Sequence, residues 1–284
     1  MRALFVSAGG DHGATALGML HALNTDYTHV CGISAGALIA AALAHSENTQ
    51  ECAQHMFQLL QDHAIATPWS SVGTIVNAVF ALVFRHSLFQ NNIPTLAQPY
   101  FDQPLRKTFQ VGAYNATQGK YQTFDQSDPD IAHAVIASAS VPGVFTPVDI
   151  RNDQFVDGAV AHVVPVQEIL HYWEHNTGDI DILMCYPTHS LQQFLDCQMK
   201  QGTSLAKQME KCTYEILWNT MQRDLQALER IAKPFRNVNV VDGRTVRLLQ
   251  PNTPIYSSFV APSKQAVVDM FEDGQRAART QLRL

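Results

Sequence analysis

Short apolar runs alternate with helical stretches in the first third of the chain. Residues 3–7 and 28–33 are apolar runs of strand length. Residues 14–24 carry leucines at helical spacing, and residues 37–44 are rich in alanine and leucine. Glycines stand between each run and its helix. Strand, tight turn and helix, repeated twice within about 45 residues, predict parallel strands joined by crossover helices.

Further strands and helices are predicted along the rest of the chain. The strand candidates are residues 108–114, 154–156 and 180–185, and the helical stretches are residues 47–63, 130–138, 205–233 and 263–284. Residues 67–103 carry scattered prolines and polar turns, which indicate an excursion from the sheet. No stretch marks a linker, so we predict one α/β domain over residues 1–284, in which residues from about 200 to 284 form a mostly helical part.

Composition and charge exclude several classes of protein. The chain has 284 residues, of which 46% are hydrophobic and 15% charged, as in a folded globule and unlike a disordered or collagen-like chain. The net charge of −6 provides no basic field for nucleic acid or for purely electrostatic membrane binding. The basic residues between Arg223 and Arg247 alternate with Asp224, Glu229 and Asp242, which indicates a solvated face.

The pattern of cysteines and the shortness of the apolar stretches predict a protein of the cell interior. The five cysteines form neither a CxxC pair nor a closely spaced framework, as expected of free thiols in a reducing compartment. The apolar region at the amino terminus is too short for a signal peptide, and Val72–Phe84 is too short to span a bilayer. We therefore predict a cytoplasmic protein, with signal-independent export left open. Val72–Phe84 is interpreted either as a core or cap helix or as a lipid-facing cover of an acyl pocket.

A G-x-S-x-G motif with Ser34 at its centre stands between an apolar run and an alanine-rich helix. A nucleophile on a sharp strand-to-helix turn needs little bulk around it, which accounts for Gly32 and Gly36. The positive end of the following helix would favour negative charge on the serine oxygen. The alternative is a tight turn in which Ser34 only caps the helix.

A glycine-rich loop, residues 8–13, follows the first predicted strand. Glycines allow backbone N–H groups to converge on an anion. The spacing Ala8-x-Gly10-x-x-Gly13 is that of a degenerate dinucleotide fingerprint, which requires an acidic residue at the end of the next strand. That strand ends without one, and an oxyanion hole beside Ser34 fits better.

A third candidate is Asp157, on an Asp-Gly turn with Gly158 and Ala159 after a short apolar segment. A carboxylate in this position can act as the base for a serine if the fold brings the two together. The separation of 157 − 34 = 123 residues neither supports nor excludes that. By itself an Asp-Gly pair is typical of an ordinary β-turn.

Together these motifs resemble the three ordered signatures of the patatin-like phospholipases. The resemblance rests on the loop of residues 8–13, the motif of residues 32–36 and the turn of residues 157–159. Residues 137–148, Ala-Ser-Ala-Ser-Val-Pro-Gly-Val-Phe-Thr-Pro-Val, are similar to the family block that lies between the second and third signatures. The match covers most of the chain and implies a three-layer α/β/α patatin-like fold with a mostly parallel central sheet.

The resemblance also implies a lipid acyl hydrolase that uses a serine–aspartate dyad. Ser34 would attack an ester carbonyl, Asp157 would take its proton, and hydrolysis would pass through an acyl-enzyme without metal or cofactor. The implied substrate is a lipid or phospholipid, and transient contact with a membrane surface is left open. The implied oxyanion hole is the loop of Gly9, Gly10, Asp11, His12 and Gly13.

The chain departs from the family pattern at three positions. Ala8 replaces the first glycine of the loop, His12 stands where the family usually has arginine or lysine, and His162 occupies a position at which asparagine is common. A cationic contribution of the loop to the oxyanion would therefore depend on pH. Ala159, in place of a glycine, is a common family variant.

Other readings of the same residues remain open. A histidine triad would draw on one of four histidines after Asp157, namely His162, His171, His175 and His189. A transacylase or thioesterase would use the same Ser34. A non-catalytic module would hold lipid or nucleotide in the glycine loop.

Overall fold

The computed structural model describes residues 1–62, 66–68, 89–91, 93–94, 101–102, 104–188, 205–231, 238–252 and 263–283. The strands in these ranges are β1 Arg2–Val6, β2 His29–Gly32, β3 Ala66–Pro68, β4 Phe89–Asn91, β5 Thr108–Asn115, β6 Lys120–Asp125, β7 Val148–Ile150, β8 Asp153–Asp157, β9 Asp179–Leu183, β10 Val238–Val241 and β11 Arg244–Leu249. The helices are α1 Gly13–Leu23, α2 Ala35–Ala44, α3 Thr49–Asp62, α4 Ile131–Ser138, α5 Val166–His175, α6 Leu205–Leu228 and α7 Lys264–Leu282. Two short 3₁₀ turns span Gly10–His12 and Gly158–Val160.

One nine-stranded sheet organises the molecule. The strand order is β10-β11-β9-β1-β2-β5-β8-β7, and β6 pairs with β5. The five strands from β11 to β5 are parallel to one another, and antiparallel strands flank them on both sides. Helices cover both faces, as expected of a sheet built from crossover connections. The predicted α/β/α fold with a mostly parallel sheet is confirmed.

The alternating side chains of β1 show how the layers are arranged. Leu4 and Val6 belong to a core with residues of α1, α2, α3, α4 and α7. Ala3 and Phe5 belong to a second core with residues of α5 and α6. Because successive side chains of a strand point to opposite faces, the sheet separates two helical layers.

The strand β5 brings the ends of two other strands together. Its first half pairs with β2, its second half pairs with β8, and β6 pairs with it across both regions. Since β6 occupies one edge, β2 and β8 must share the other edge of β5. Gly32 ends β2 opposite Val111, and Asp157 ends β8 opposite Ala113. The carboxyl-terminal ends of β2 and β8 therefore meet beside Gly112.

The first and last helices pack backbone to backbone. A Cβ atom on Gly18 of α1 would lie 1.9 Å from the carbonyl oxygen of Phe271, and one on Gly274 of α7 would lie 2.1 Å from that of Thr15. No side chain fits at either position, so the two glycines set the distance between the helices. This contact joins the two ends of the chain.

Most predicted elements occur, with ends displaced by a few residues. The strands predicted over 108–114 and 154–156 span Thr108–Asn115 and Asp153–Asp157, and the long helix predicted to 233 ends at Leu228. The excursion predicted over 67–103 contributes β3 and β4, which pair with each other and not with the main sheet. The helix proposed over 72–84 lies outside the described residues. The single-domain organisation stays a prediction.

The sequence did not predict the hairpin of β10 and β11, although β11 pairs with β9 inside the main sheet. The strand β11, Arg244–Leu249, includes two arginines, which interrupt the continuous apolar pattern typical of a buried parallel strand. The solvated face predicted for residues 223–247 is wrong at two positions. Asp224 is buried and Arg247 is largely so, because each forms ion pairs or hydrogen bonds with the body of the fold.

Candidate active site

Ser34 lies at the end of β2 on a strained turn. Its φ of 58° and ψ of −125° lie outside the regions that ordinary side chains prefer. The two glycines of the motif make the turn sterically feasible. A Cβ atom on Gly32 would lie 2.1 Å from the carbonyl oxygen of Gly36, and one on Gly36 would lie 2.3 Å from that of Val6.

Helix α2 begins directly after Ser34. The Ala37 N–H donates to the Ser34 carbonyl at 2.9 Å, and the Gly36 N–H donates to the Ile33 carbonyl at the same distance. The serine thus stands at the positive end of a ten-residue helix. Ser34 is 5% exposed, so its hydroxyl faces an interior space and not the open surface.

Asp157 ends β8 on the other side of the strand junction. One carboxylate oxygen, Oδ1, accepts the N–H of Ala159 at 2.8 Å. The other, Oδ2, is buried and has no hydrogen-bond partner among the residues described. Burial is the main reason why the pKa of Asp157 rises from 3.8 to about 7, and the Ala159 amide opposes the rise.

The side chains of Ser34 and Asp157 are neighbours. The Ser34 hydroxyl lowers the pKa of Asp157, the smallest of the three influences on it. Both residues line one cavity. The strand junction therefore brings together the two candidates that lie 123 residues apart.

Ser138 connects the two halves of the junction, and sequence analysis assigned it no role. Its hydroxyl accepts the backbone N–H of Ser34 at 3.0 Å and donates to the carbonyl of Gly112 at 2.6 Å. Gly158 packs against the same carbonyl, since a Cβ atom there would lie 2.5 Å from it. Ser138 lies within the block that resembles the family, which was the available signal.

Only part of the predicted oxyanion loop faces the site. Gly9 and Gly10 line the cavity together with Ala8. The loop is anchored at its start, where the Ala8 N–H donates to Val163 at 2.8 Å, and at Gly9, whose carbonyl accepts from Tyr186 at 3.1 Å. A left-handed φ of 54° at Gly10 turns the chain into the next helix.

The remaining loop residues are buried beside the cavity and not in its lining. The carboxylate of Asp11 lies 3.1 Å from Nδ1 of His12, and the ring of His12 packs 4.8 Å from that of Tyr186. Gly13 begins α1, and a Cβ atom there would lie 3.0 Å from that of Ala35. These three residues support the loop.

The cavity beside Ser34 has a volume of about 210 Å³. This exceeds the roughly 150 Å³ of an engineered cavity that binds benzene, so an acyl segment can enter. Asp157 supplies the only ionisable carboxylate among the described lining residues, and most of the others are apolar. They are Ala8, Gly9, Gly10, Ser34, Val141, Pro142, Asp157, Ala159, Val160, Val163, Tyr186, Thr213, Ile216 and Leu217.

No histidine among the described residues lines this cavity. His162 has its Nδ1 2.8 Å from the carboxylate of Asp224. His171 and His175 pack against each other on α5, with ring centroids 4.2 Å apart. His189 lies outside the described residues. The structure thus does not bring the first three of these histidines to Ser34.

Neither a metal site nor a membrane-spanning helix emerges from the residues described. Across them, no group of three histidine, cysteine or acidic side chains converges in a way that could hold a metal ion. Within the same ranges, each helix is too short or too polar to cross a bilayer.

A family model and one solved structure agree with this architecture. The family model of the patatin-like phospholipases matches residues 4–170, more than half of the chain. No curated protein sequence matches significantly. The structure of VipD from Legionella pneumophila is similar with a TM-score of 0.51 at 14% identity, over 99% of this chain and 66% of that one. For the complex of ExoU and SpcU from Pseudomonas aeruginosa the TM-score is 0.34 at 19% identity, over 81% and 51%. The chain thus spans slightly less than two thirds of VipD and about half of the second structure.

Proposed function

Because the chain belongs to the patatin-like phospholipase family, we propose that it is a lipid acyl hydrolase that cleaves carboxylic esters through Ser34 and Asp157. One observation carries the proposal. A serine on a strained elbow and a desolvated carboxylate with an unpaired oxygen line the same apolar cavity. Perturbed pKa values at such a place are typical of catalytic groups.

In the first half of the proposed reaction, Ser34 becomes acylated. Its oxygen attacks the ester carbonyl carbon while Asp157 accepts the hydroxyl proton. The pKa of Asp157, raised to about 7 by burial, makes this carboxylate a stronger base than an exposed aspartate. The tetrahedral intermediate then expels the alcohol, which takes the proton from Asp157. In the second half, water attacks the acyl carbon while Asp157 takes its proton, and the intermediate expels the Ser34 oxygen, which recovers the proton from Asp157 as the carboxylic acid leaves.

Backbone amides would stabilise the oxyanion of both tetrahedral intermediates. Gly9 and Gly10 are the members of the predicted loop that line the cavity, so their N–H groups are the proposed donors. The positive end of α2 would add to their field. Asp11, His12 and Gly13 would act by holding the loop, and His12 would not contact the oxyanion.

The apolar lining supports a fatty acyl group as the part of the substrate that enters the cavity. Val160 and Ile216 line it and remain 46% and 64% exposed, which gives the opening an apolar border. Such a border suits a substrate drawn from a lipid aggregate, and transient contact with a membrane surface is part of the proposal.

Covalent labelling tests the proposal most directly. A fluorophosphonate probe should modify the purified protein on the peptide that contains Ser34, and Ser34→Ala should remove both labelling and ester hydrolysis while the circular dichroism spectrum is unchanged. Ser127→Ala, which removes an exposed hydroxyl far from the motif, is the matched control.

Other outcomes would redirect the assignment. Hydrolysis of a phospholipid ester by Ser34→Ala would contradict the proposed nucleophile. Transfer of the acyl group to an added alcohol or thiol, faster than to water, would indicate a transacylase or thioesterase. Saturable lipid binding without any labelling would indicate a non-catalytic module.

A further inference from the structure

Asp224 is a buried charge in a part of the chain to which the family model does not extend. It lies on α6, and only 1% of it is exposed, whereas its neighbour Arg223 is exposed. The match to the family ends at residue 170. Burying a carboxylate is costly unless hydrogen bonds compensate it, so its contacts explain why it is there.

Both oxygens of Asp224 bind the segment that follows the Asp157 turn. Oδ2 accepts two consecutive backbone amides, those of Val163 at 2.8 Å and Val164 at 3.1 Å. Oδ1 lies 2.8 Å from Nδ1 of His162. Nε2 of His162 lies 3.0 Å from the side-chain amide nitrogen of Gln167, which identifies Nε2 as the acceptor and Nδ1 as the N–H donor to Asp224.

This contact continues to the glycine loop. The peptide group between Val163 and Val164 donates its N–H to Asp224 at 3.1 Å, and its carbonyl, that of Val163, accepts the N–H of Ala8 at 2.8 Å. Ala8 directly precedes Gly9 and Gly10, the proposed oxyanion donors. A displacement of Val163 would therefore be transmitted to these donors through a single hydrogen bond.

The same helix forms one wall of the cavity. Thr213, Ile216 and Leu217 of α6 line it. Leu217 and Asp224 are seven positions apart, close to two helical turns, and so lie on the same face of the helix. Asp224 thus fixes the face of α6 that meets the cavity.

We propose that Asp224 is a positioning residue for the reaction. It holds the α6 wall, the segment after Asp157 and the glycine loop in one arrangement around Ser34. The inference rests on the proposed function, because what Asp224 positions matters only if Ser34 reacts. It adds that the active arrangement depends on a residue beyond the region matched by the family model.

Labelling kinetics can separate this role from a purely structural one. The second-order rate constant of fluorophosphonate labelling at Ser34 is measured for the full chain, for Asp224→Ala and for Asp224→Asn. Glu229→Gln, which removes an exposed negative charge just after α6, is the control for charge. Hydrogen exchange of peptides covering residues 161–165 and 6–12 is followed in the same proteins, with thermal melts to establish that each is folded at the assay temperature.

The labelling rate and the rate of hydrogen exchange should change in proportion to the hydrogen bonds that each variant loses. Loss of one oxyanion donor costs about 10²–10³-fold in kcat, so a displaced loop in Asp224→Ala should slow labelling at least roughly tenfold. Exchange in both peptides should become faster. Asn retains an acceptor for the two amides without the charge, so Asp224→Asn should slow labelling by only about threefold, since uncharged hydrogen bonds are roughly half as strong. Glu229→Gln should match the wild type.

Specific results would overturn the inference. If Asp224→Ala is folded and is labelled within twofold of the wild type, Asp224 does not position the site. If Asp224→Ala does not fold, Asp224→Asn decides, and a rate equal to that of Glu229→Gln would contradict the inference. A wild-type protein that is not labelled at all would refute the proposed function instead, so the two failures can be told apart.

Discussion

Asp157 and Asp181 are two buried aspartates of one sheet with opposite surroundings. Asp157 ends β8, where it keeps one hydrogen bond, from the Ala159 amide, and one bare oxygen. Asp181 is fully buried in the middle of β9, opposite Leu4 of β1. There Oδ1 accepts from Arg2 at 2.7 Å and from Arg247 at 2.6 Å, and Oδ2 accepts from Arg247 and from the Tyr27 hydroxyl at 2.9 Å.

Burial alone therefore does not determine what a carboxylate does. At Asp181, two guanidinium groups and a hydroxyl replace the water that burial removes, so the charge serves as an anchor between three elements. At Asp157 little replaces that water, and the pKa rises to about 7. The fold neutralises one carboxylate in the middle of a strand and leaves a reactive one at the end of another strand.

Replacing Asp157 should have the largest effect on activity. Asp157→Asn removes the proposed base, and we expect ester hydrolysis to fall by about 10²–10⁴-fold. The folded state should not lose stability, because the asparagine has no charge to desolvate. Initial rates on a soluble ester and a thermal melt measure the two quantities. Wild-type rates in Asp157→Asn would exclude the aspartate as the base.

Replacing Asp181 should reverse this pattern. Asp181→Ala leaves Arg2 and Arg247 without their shared partner, and we expect a loss of about 3–5 kcal/mol in the free energy of unfolding. Activity per folded molecule should stay near the wild-type value. Urea denaturation combined with titration of labelled sites measures both. A loss of activity without a loss of stability would contradict the assignment of Asp181 as an anchor.

Removing the Ser138 hydroxyl should have a smaller effect on activity. Ser138→Ala deletes the hydrogen bonds to the Ser34 amide and the Gly112 carbonyl, and at about 1–1.5 kcal/mol we expect kcat to fall roughly tenfold. Ser140→Ala is a matched control, because among the described residues the Ser140 hydroxyl binds only the Ile136 carbonyl at the end of the same helix. Equal kcat values in the two variants would argue against a role for Ser138 in the elbow.

A change of pH near neutrality should have the smallest effect on activity, about twofold between pH 7 and the plateau. Asp157 must be ionised to act as a base, so kcat/KM should rise with pH and reach half its plateau near the pKa of about 7. The contribution to stability has the opposite sign. The folded-state pKa is raised, so Asp157 contributes stability below pH 3.8 that is lost as the pH rises through 7. Thermal melts of the wild type and Asp157→Asn should therefore diverge between pH 4 and 7. A flat activity profile would contradict Asp157 as the titrating group.

The sequence predicted the elements whose signals are local. The strands and helices around residues 8–13 and 32–36 followed from short patterns, because a tight turn needs its glycines next to the residue it turns. The strand β11 was missed because Arg247 breaks its apolar pattern, and only its pairing with Asp181 allows it inside the sheet. Asp224 was misread for a similar reason. An aspartate in a stretch where acidic and basic residues alternate resembles a solvated charge until its partners are known.

By itself the sequence determined which chemistry the chain can offer: a serine confined by glycines, a turn with an aspartate, and the family to which these belong. Only the tertiary structure decided which carboxylate would be left with a bare oxygen and which would be neutralised. The hydrogen bond between Ser34 and Ser138 joins residues 104 positions apart, and that between Asp224 and Val163 spans 61. Such partners are fixed by the order and register of the strands, and the electrostatic state of a buried group depends on them more than on its neighbours in the chain.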